Sequence, residues 1–217
     1  MKNKQLLSGL LFLFVFLIRE KKVFAQDNLN LEFMFLTWHI GGDEMAFLQP
    51  RKLDPNANLV INWGGILSYE RYIFRKRLSI KAVQAAYSDC AELFAGYTHI
   101  GFRYNFLNGD KHMLSFGFGP TLVYRESWYR FDGYRQQNKY LKESGNWQYT
   151  FVWYGGEIEY SYALDKKWNL NVHAIPGLPD FFTFSVGLRY WLNPIPSNKE
   201  WKKSPKKNKW FYTSRDY

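Results

Sequence analysis

The chain has 217 residues, a formal net charge of +10 and an aromatic content of 20%, including nine tryptophans. The charge sits at the ends: residues 1–25 hold five basic groups against one acidic, and residues 194–217 hold seven against two, which leaves +1 for the body. A near-neutral body excludes the basic groove of a polynucleotide-binding protein, and a single cysteine, Cys90, excludes an internal disulfide.

In chain order, "MKNKQLLSGLLFLFVFLIREKKVFAQ" opens with Lys2 and Lys4, runs apolar from Leu6 to Ile18, and exits through Val23-Phe24-Ala25. This pattern predicts a secretory signal over 1–25; the "REKK" within it leaves a membrane anchor as the alternative. No cysteine stands near the exit, so a lipid-modified N-terminus is not expected. The remainder divides into a barrel domain at 26–193 and a basic, solvated tail at 194–217 facing the periplasm.

Within 26–193, alternating segments predict eight strands at about 31–40, 58–70, 77–89, 93–106, 112–128, 147–163, 167–176 and 181–192. In "MLSFGFGPTLVYR", Leu114, Phe116, Phe118 and Leu122 share one face while Ser115, Gly117, Gly119 and Thr121 share the other. The small face cannot fill a soluble core, and the bulky face ends in aromatics. That favours an all-β fold, an eight-stranded antiparallel transmembrane barrel of the outer membrane, over a water-soluble sandwich. With the N-terminus periplasmic, the connections 41–57, 89–92, 129–146 and 176–180 fall on the outer rim.

Inward positions divide by depth. Glu70, Lys81, Glu157, Glu159, Asn169, Asn171 and Arg189 form a polar plug near the periplasm. Gly64, Ala85, Gly96, Thr98, Gly117, Gly119, Thr121 and Gly155 lie above it and leave room for an acyl chain. The same glycines would equally relieve crowding in a narrow barrel. His39, Asp89, Cys90 and Arg125 fall on the rim above this slot, where a base, a carboxylate, a thiol and a cation supply the groups of acyl transfer; solvated rim residues would look the same. No histidine spacing indicates a metal site, and no cofactor is expected.

At these residues the chain resembles the lipid A palmitoyltransferases, outer-membrane enzymes of the PagP type. The resemblance rests on "TWH" at 37–39, "WGG" at 63–65, Asp89-Cys90 in place of Asp-Ser, "AGY" at 95–97, Arg125 with Trp128, and "IPG" at 175–177, in order across about 140 residues. It implies transfer of an acyl chain from the sn-1 position of a phospholipid donor to a lipid A acceptor, by a monomer needing no cofactor. His39, Asp89 and Cys90 would be catalytic, and Arg125 would hold anionic headgroups. Gly96, Gly117, Gly119 and Thr98 would line the pocket, and Pro176 would mark a lateral gap between the sixth and seventh strands.

The chain departs from that family in four places. Cys90 replaces serine; Met34 stands near a missing strand-1 proline, leaving one lateral gateway open to question; only "QDNLNLE" precedes strand 1, where the family has a helix; and Thr98 replaces a glycine. Thr98 on the pocket floor predicts a donor chain shorter than sixteen carbons. The alternative reading is a non-catalytic small barrel, whether structural, adhesive or lipid-binding.

Overall fold

The computed structural model describes residues 26–74, 77–136, 140–177 and 181–193, so the expected signal at 1–25 and tail at 194–217 lie outside the described residues. The described strands are β1 Asp27–His39, β2 Leu59–Phe74, β3 Leu78–Ser88, β4 Phe94–Asn108, β5 His112–Glu126, β6 Lys142–Ser144, β7 Trp147–Ala163, β8 Trp168–Gly177 and β9 Phe181–Trp191. All pair antiparallel; β1 lies between β2 and β9, and β5 pairs with β7, so the sheet closes. The barrel has eight strands, because β6 is a short flap on the outer end of β7. β1 starts four residues earlier than the periodicity indicates, and β2 runs four residues longer.

Period two decides which face meets lipid. On β5, Leu114, Phe116 and Phe118 are exposed, whereas Met113, Ser115, Gly117 and Gly119 turn inward. The same holds around the ring: Leu31, Phe33, Trp63, Leu67, Phe102 and Leu188 are exposed, while Glu32, Glu70, Lys81, Arg103 and Arg189 are buried. Apolar outside and charged inside inverts a soluble protein, and suits a closed barrel in hydrocarbon.

Two bulges adjust the aim. Both ladders of β1 shift register between Met34 and Leu36, so Asn28, Asn30, Glu32 and Met34 face inward below the shift and Thr37 and His39 above it. Strict alternation would send one of these sets into lipid. A second shift on β7 leaves Trp153 and Tyr154 both 73% exposed and keeps Glu157 and Glu159 inside. An extra residue that re-aims a side chain is the usual work of a bulge.

The interior is layered. Tyr72, Met113 and Trp191 close the end where β1 begins and β9 finishes. Above them lies an ionic layer, in which Lys81 meets Glu157 at 3.0 Å and Glu159 at 3.4 Å. Arg103 meets Glu159 at 2.6 Å, and His173 bridges Glu32 and Glu157 at 3.0 Å each. Arg189 also contacts Glu159. Glu32, Glu159 and His173 converge closely enough to hold a metal ion, but Lys81, Arg103 and Arg189 already pair with Glu159 and His173 with Glu32. An apolar layer of Met34, Ile66, Val83, Ala85 and Tyr97 follows.

Glu159 accepts from three cations, so Glu159→Gln leaves buried positive charge without its counterion. We expect a loss of about 3–5 kcal/mol, read as a lower urea midpoint for the barrel refolded in micelles. An unchanged midpoint would contradict the ionic layer's role.

Candidate functional site

Above the apolar layer the lumen opens into a cavity of about 1000 Å³ that reaches the outer rim. Its lower wall comes from Met34, Val83, Tyr97, Val123 and Ile175, and its rim carries His39, Asp43, Asn62, Asp89, Cys90 and Arg125. The expected hollow is therefore present, but its lower wall is made of bulky side chains, and of the expected small residues Thr121 and Gly155 line it.

Four expected pocket residues need correction. Thr98 is exposed on the lipid face of β4 and donates to Gln84 Oε1 at 2.8 Å, while Tyr97 and His99 point inward. Gly96 shares Thr98's outer face, under the Tyr124 ring. The expectation of a donor shorter than sixteen carbons rested on Thr98 inside the pocket and falls with it. Gly117 and Gly119 do face inward, but neither lines the cavity: a Cβ on Gly117 would sit 2.6 Å from Glu157 Cγ, and one on Gly119 would sit 2.3 Å from the Ile100 carbonyl oxygen. Both glycines admit close neighbours, which is the crowding reading.

The rim brings His39 and Cys90 together. His39 ends β1, turned inward by the bulge, and Cys90 follows β3 in the short connection to β4. Cys90 Sγ lies 3.8 Å from His39 Nε2 and 3.8 Å from Asn62 Oδ1. Asn62 is held by donating to Thr37 Oγ1 at 2.8 Å. Burial, then the neighbouring carboxylates of Asp89 and Asp43, push the Cys90 thiol up to about 12. The thiol is accordingly protonated at neutral pH.

Asp89 lines the same cavity but is committed elsewhere. Its Oδ2 accepts from Trp128 Nε1 at 2.6 Å, and its Oδ1 accepts from the backbone N–H of Ala91 at 3.0 Å and of Leu93 at 2.9 Å. Burial pushes its pKa up from the ordinary carboxylate value, and the Trp128 bond opposes that shift. Arg125 points into the cavity, where its guanidinium stacks 4.0 Å from the Trp128 ring centroid. It also donates to Gln148 Oε1 and Tyr134 Oη at 3.0 Å each.

The carboxylate nearest His39 is one the sequence reading missed. Asp43 Oδ2 lies 3.8 Å from His39 Nδ1. Gly41 and Gly42 both take φ 85°, and a Cβ on Gly42 would meet the Asn56 carbonyl oxygen at 2.8 Å. The "HIGGDE" segment folds back because only glycine tolerates that backbone; the paired glycines were the available signal. Farther along this loop, Asp54 accepts from the backbone N–H of Asn56, Asn58 and Leu59, which holds it down to about 2. That anchor is present above the ordinary carboxylate range and is lost as pH falls toward about 2.

Pro176 stands two residues beyond a break in one ladder of the wall. Among the described residues, the β7–β8 ladder ends at Ile158 opposite Ala174, whereas β8 continues to Gly177 against β9 alone. Pro176 has no N–H to offer, and Gly155, Gly156, Pro176 and Gly177 all line the cavity. Along β1, by contrast, the ladders run to Trp38 on one side and His39 on the other, so the wall is shut near Met34.

No family model and no curated protein matches the chain. Among solved structures it is similar to the N-terminal β-barrel domain of Pseudomonas aeruginosa OprF, with 12% identity and a TM-score of 0.43 over 77% of this chain and 98% of that one. It is also similar to Ail, the attachment invasion locus protein of Yersinia pestis in complex with the heparin analogue sucrose octasulfate. There the identity is 9% and the TM-score 0.43, over 77% of this chain and 97% of that one. At these values neither likeness assigns a role to any rim residue.

A thiol held near 12 gives a direct test. The alkylation rate of Cys90 in the folded barrel should climb about ten-fold per pH unit from 7 to 11. A plateau near the ordinary thiol value would show that the burial argument fails.

Proposed function

We propose that the chain is an outer-membrane acyltransferase, taking a fatty acyl chain from a glycerophospholipid and giving it to lipid A. The observation that carries this reading is the 3.8 Å approach of Cys90 Sγ to His39 Nε2, on the rim of a cavity that also reaches the β7–β8 break. A closed barrel with an even number of strands and an apolar exterior belongs to the outer membrane. Closure leaves little sheet edge to recruit a second copy, in keeping with a monomer.

The chemistry follows from the contacts. The donor's tail enters at Pro176 and lies against Met34, Val83, Tyr97 and Ile175, with its ester at the rim. His39 Nε2 takes the Cys90 proton as Sγ attacks the ester carbon, because the neutral thiol is a poor nucleophile until then. The carbon–oxygen bond breaks, and the lysophospholipid leaves with the proton from His39. A lipid A hydroxyl then gives its proton to His39 and attacks the thioester, and Sγ recovers the proton. Arg125 places positive charge beside the developing oxyanion and the donor phosphate.

The second reading is a non-catalytic barrel that binds a lipid without turning it over, or acts only in structure or adhesion. The engagement of Asp89 by Trp128 and of Arg125 by Gln148 and Tyr134 favours it, since neither group stands free.

Mass spectrometry of lipid A from cells with and without the gene separates the two. The enzyme adds one acyl mass, His39→Ala removes that species, and Cys90→Ser keeps part of it; identical spectra throughout would leave only the non-catalytic barrel. The entry route has its own test. A Cβ on Gly156 would lie 3.4 Å from Pro176 Cγ, the atom that a cysteine sulfur at 176 would replace, so cysteines at both positions stand close enough to be bridged. Gly156→Cys with Pro176→Cys should lose transfer when oxidised and regain it on reduction. Full activity in the oxidised form would move the entry elsewhere.

A further inference from the structure

Among the described residues His39 Nδ1 is buried without a hydrogen bond of ordinary geometry, although the Ala57 backbone and a carboxylate lie beside the ring. Asp43 Oδ2 lies 3.8 Å away, while Nε2 on the opposite side of the ring faces Cys90 Sγ at 3.8 Å. The Asp43 carboxylate is fixed in this position: Oδ1 accepts from Met45 N–H at 2.8 Å and Oδ2 from Gln49 Nε2 at 2.5 Å. Its own N–H donates to the Asn56 carbonyl at 2.9 Å, and Gly42 N–H donates to the His39 carbonyl at 3.3 Å. The turn thus carries base and carboxylate as one unit.

We propose that Asp43 is the positioning residue for His39, holding the proton on Nδ1 so that the Nε2 lone pair faces Cys90. The use of this arrangement rests on the acyl-transfer reading; the arrangement itself rests on the geometry. An approach of about 1 Å brings Nδ1–H and Oδ2 to hydrogen-bond distance. A carboxylate there selects the Nδ1–H tautomer and stabilises the imidazolium formed when Nε2 takes a proton. Asp89 does not pair with His39: among the described residues the carboxylate facing a His39 ring nitrogen is Asp43, while Asp89 accepts from Trp128, Ala91 and Leu93.

The test is the tautomer of His39, read from ring ¹⁵N shifts in the full chain refolded in micelles and assigned with His39→Gln. In the native protein and in Asp43→Glu the proton should sit on Nδ1. In Asp43→Ala the Nε2–H form should become the major one, and transfer should fall at least ten-fold in kcat with KM nearly unchanged. Asp54→Ala, which loosens the same loop without touching Asp43, should keep the native tautomer. A native tautomer in Asp43→Ala, or the same shift in Asp54→Ala, would overturn the proposal. If the native protein transfers no acyl group, the acyltransferase reading fails while the tautomer still decides this one.

Discussion

In hydrocarbon every backbone N–H and C=O must find a partner within the protein, and the rest of this structure follows from that demand. It forces the eight strands into a ring, makes the outside apolar, and confines charge to the lumen, where Lys81, Arg103 and Arg189 meet their glutamates. It also makes any break in the ring informative. The ladder that ends at Ile158 and Ala174 sits where Pro176 lacks a donor and where the cavity reaches the wall.

The layers below the cavity explain why it stays hollow. The ionic layer and the apolar layer of Met34, Ile66, Val83, Ala85 and Tyr97 occupy the lower lumen. The upper lumen is spanned by short or wall-hugging groups such as Thr37, Asn62 and Thr183, which bond to one another across the strands. The cavity of about 1000 Å³ lies at the end where the reactive side chains gather.

Much of this was legible in the sequence, and the failures have identifiable causes. Strand count, closure and the plug residues follow from alternation, because each face of a strand meets one solvent. His39 and Cys90 were legible because both stand at strand tips of the same end. The depth of the pocket wall was misread at Thr98 and Gly96, where small size was taken to mean an inward face. Near the outer rim a hydroxyl can face outward if it finds a partner, and Thr98 finds Gln84. The bulges at Met34–Leu36 and near Trp153 break the period on which such readings depend. Asp43 was missed because its approach to His39 depends on two left-handed glycines rather than on spacing along a strand.

The account's central claim is that the upper lumen receives a lipid tail through the wall. A phospholipid carrying a photoreactive diazirine midway along its acyl chain, placed in a bilayer with the native barrel, tests this directly. Adducts on Met34, Val83 or Tyr97, inside the cavity, are the expected result. Labelling confined to outward residues such as Phe102, Phe116 and Leu188 would show that lipid meets only the exterior and that the cavity serves another purpose.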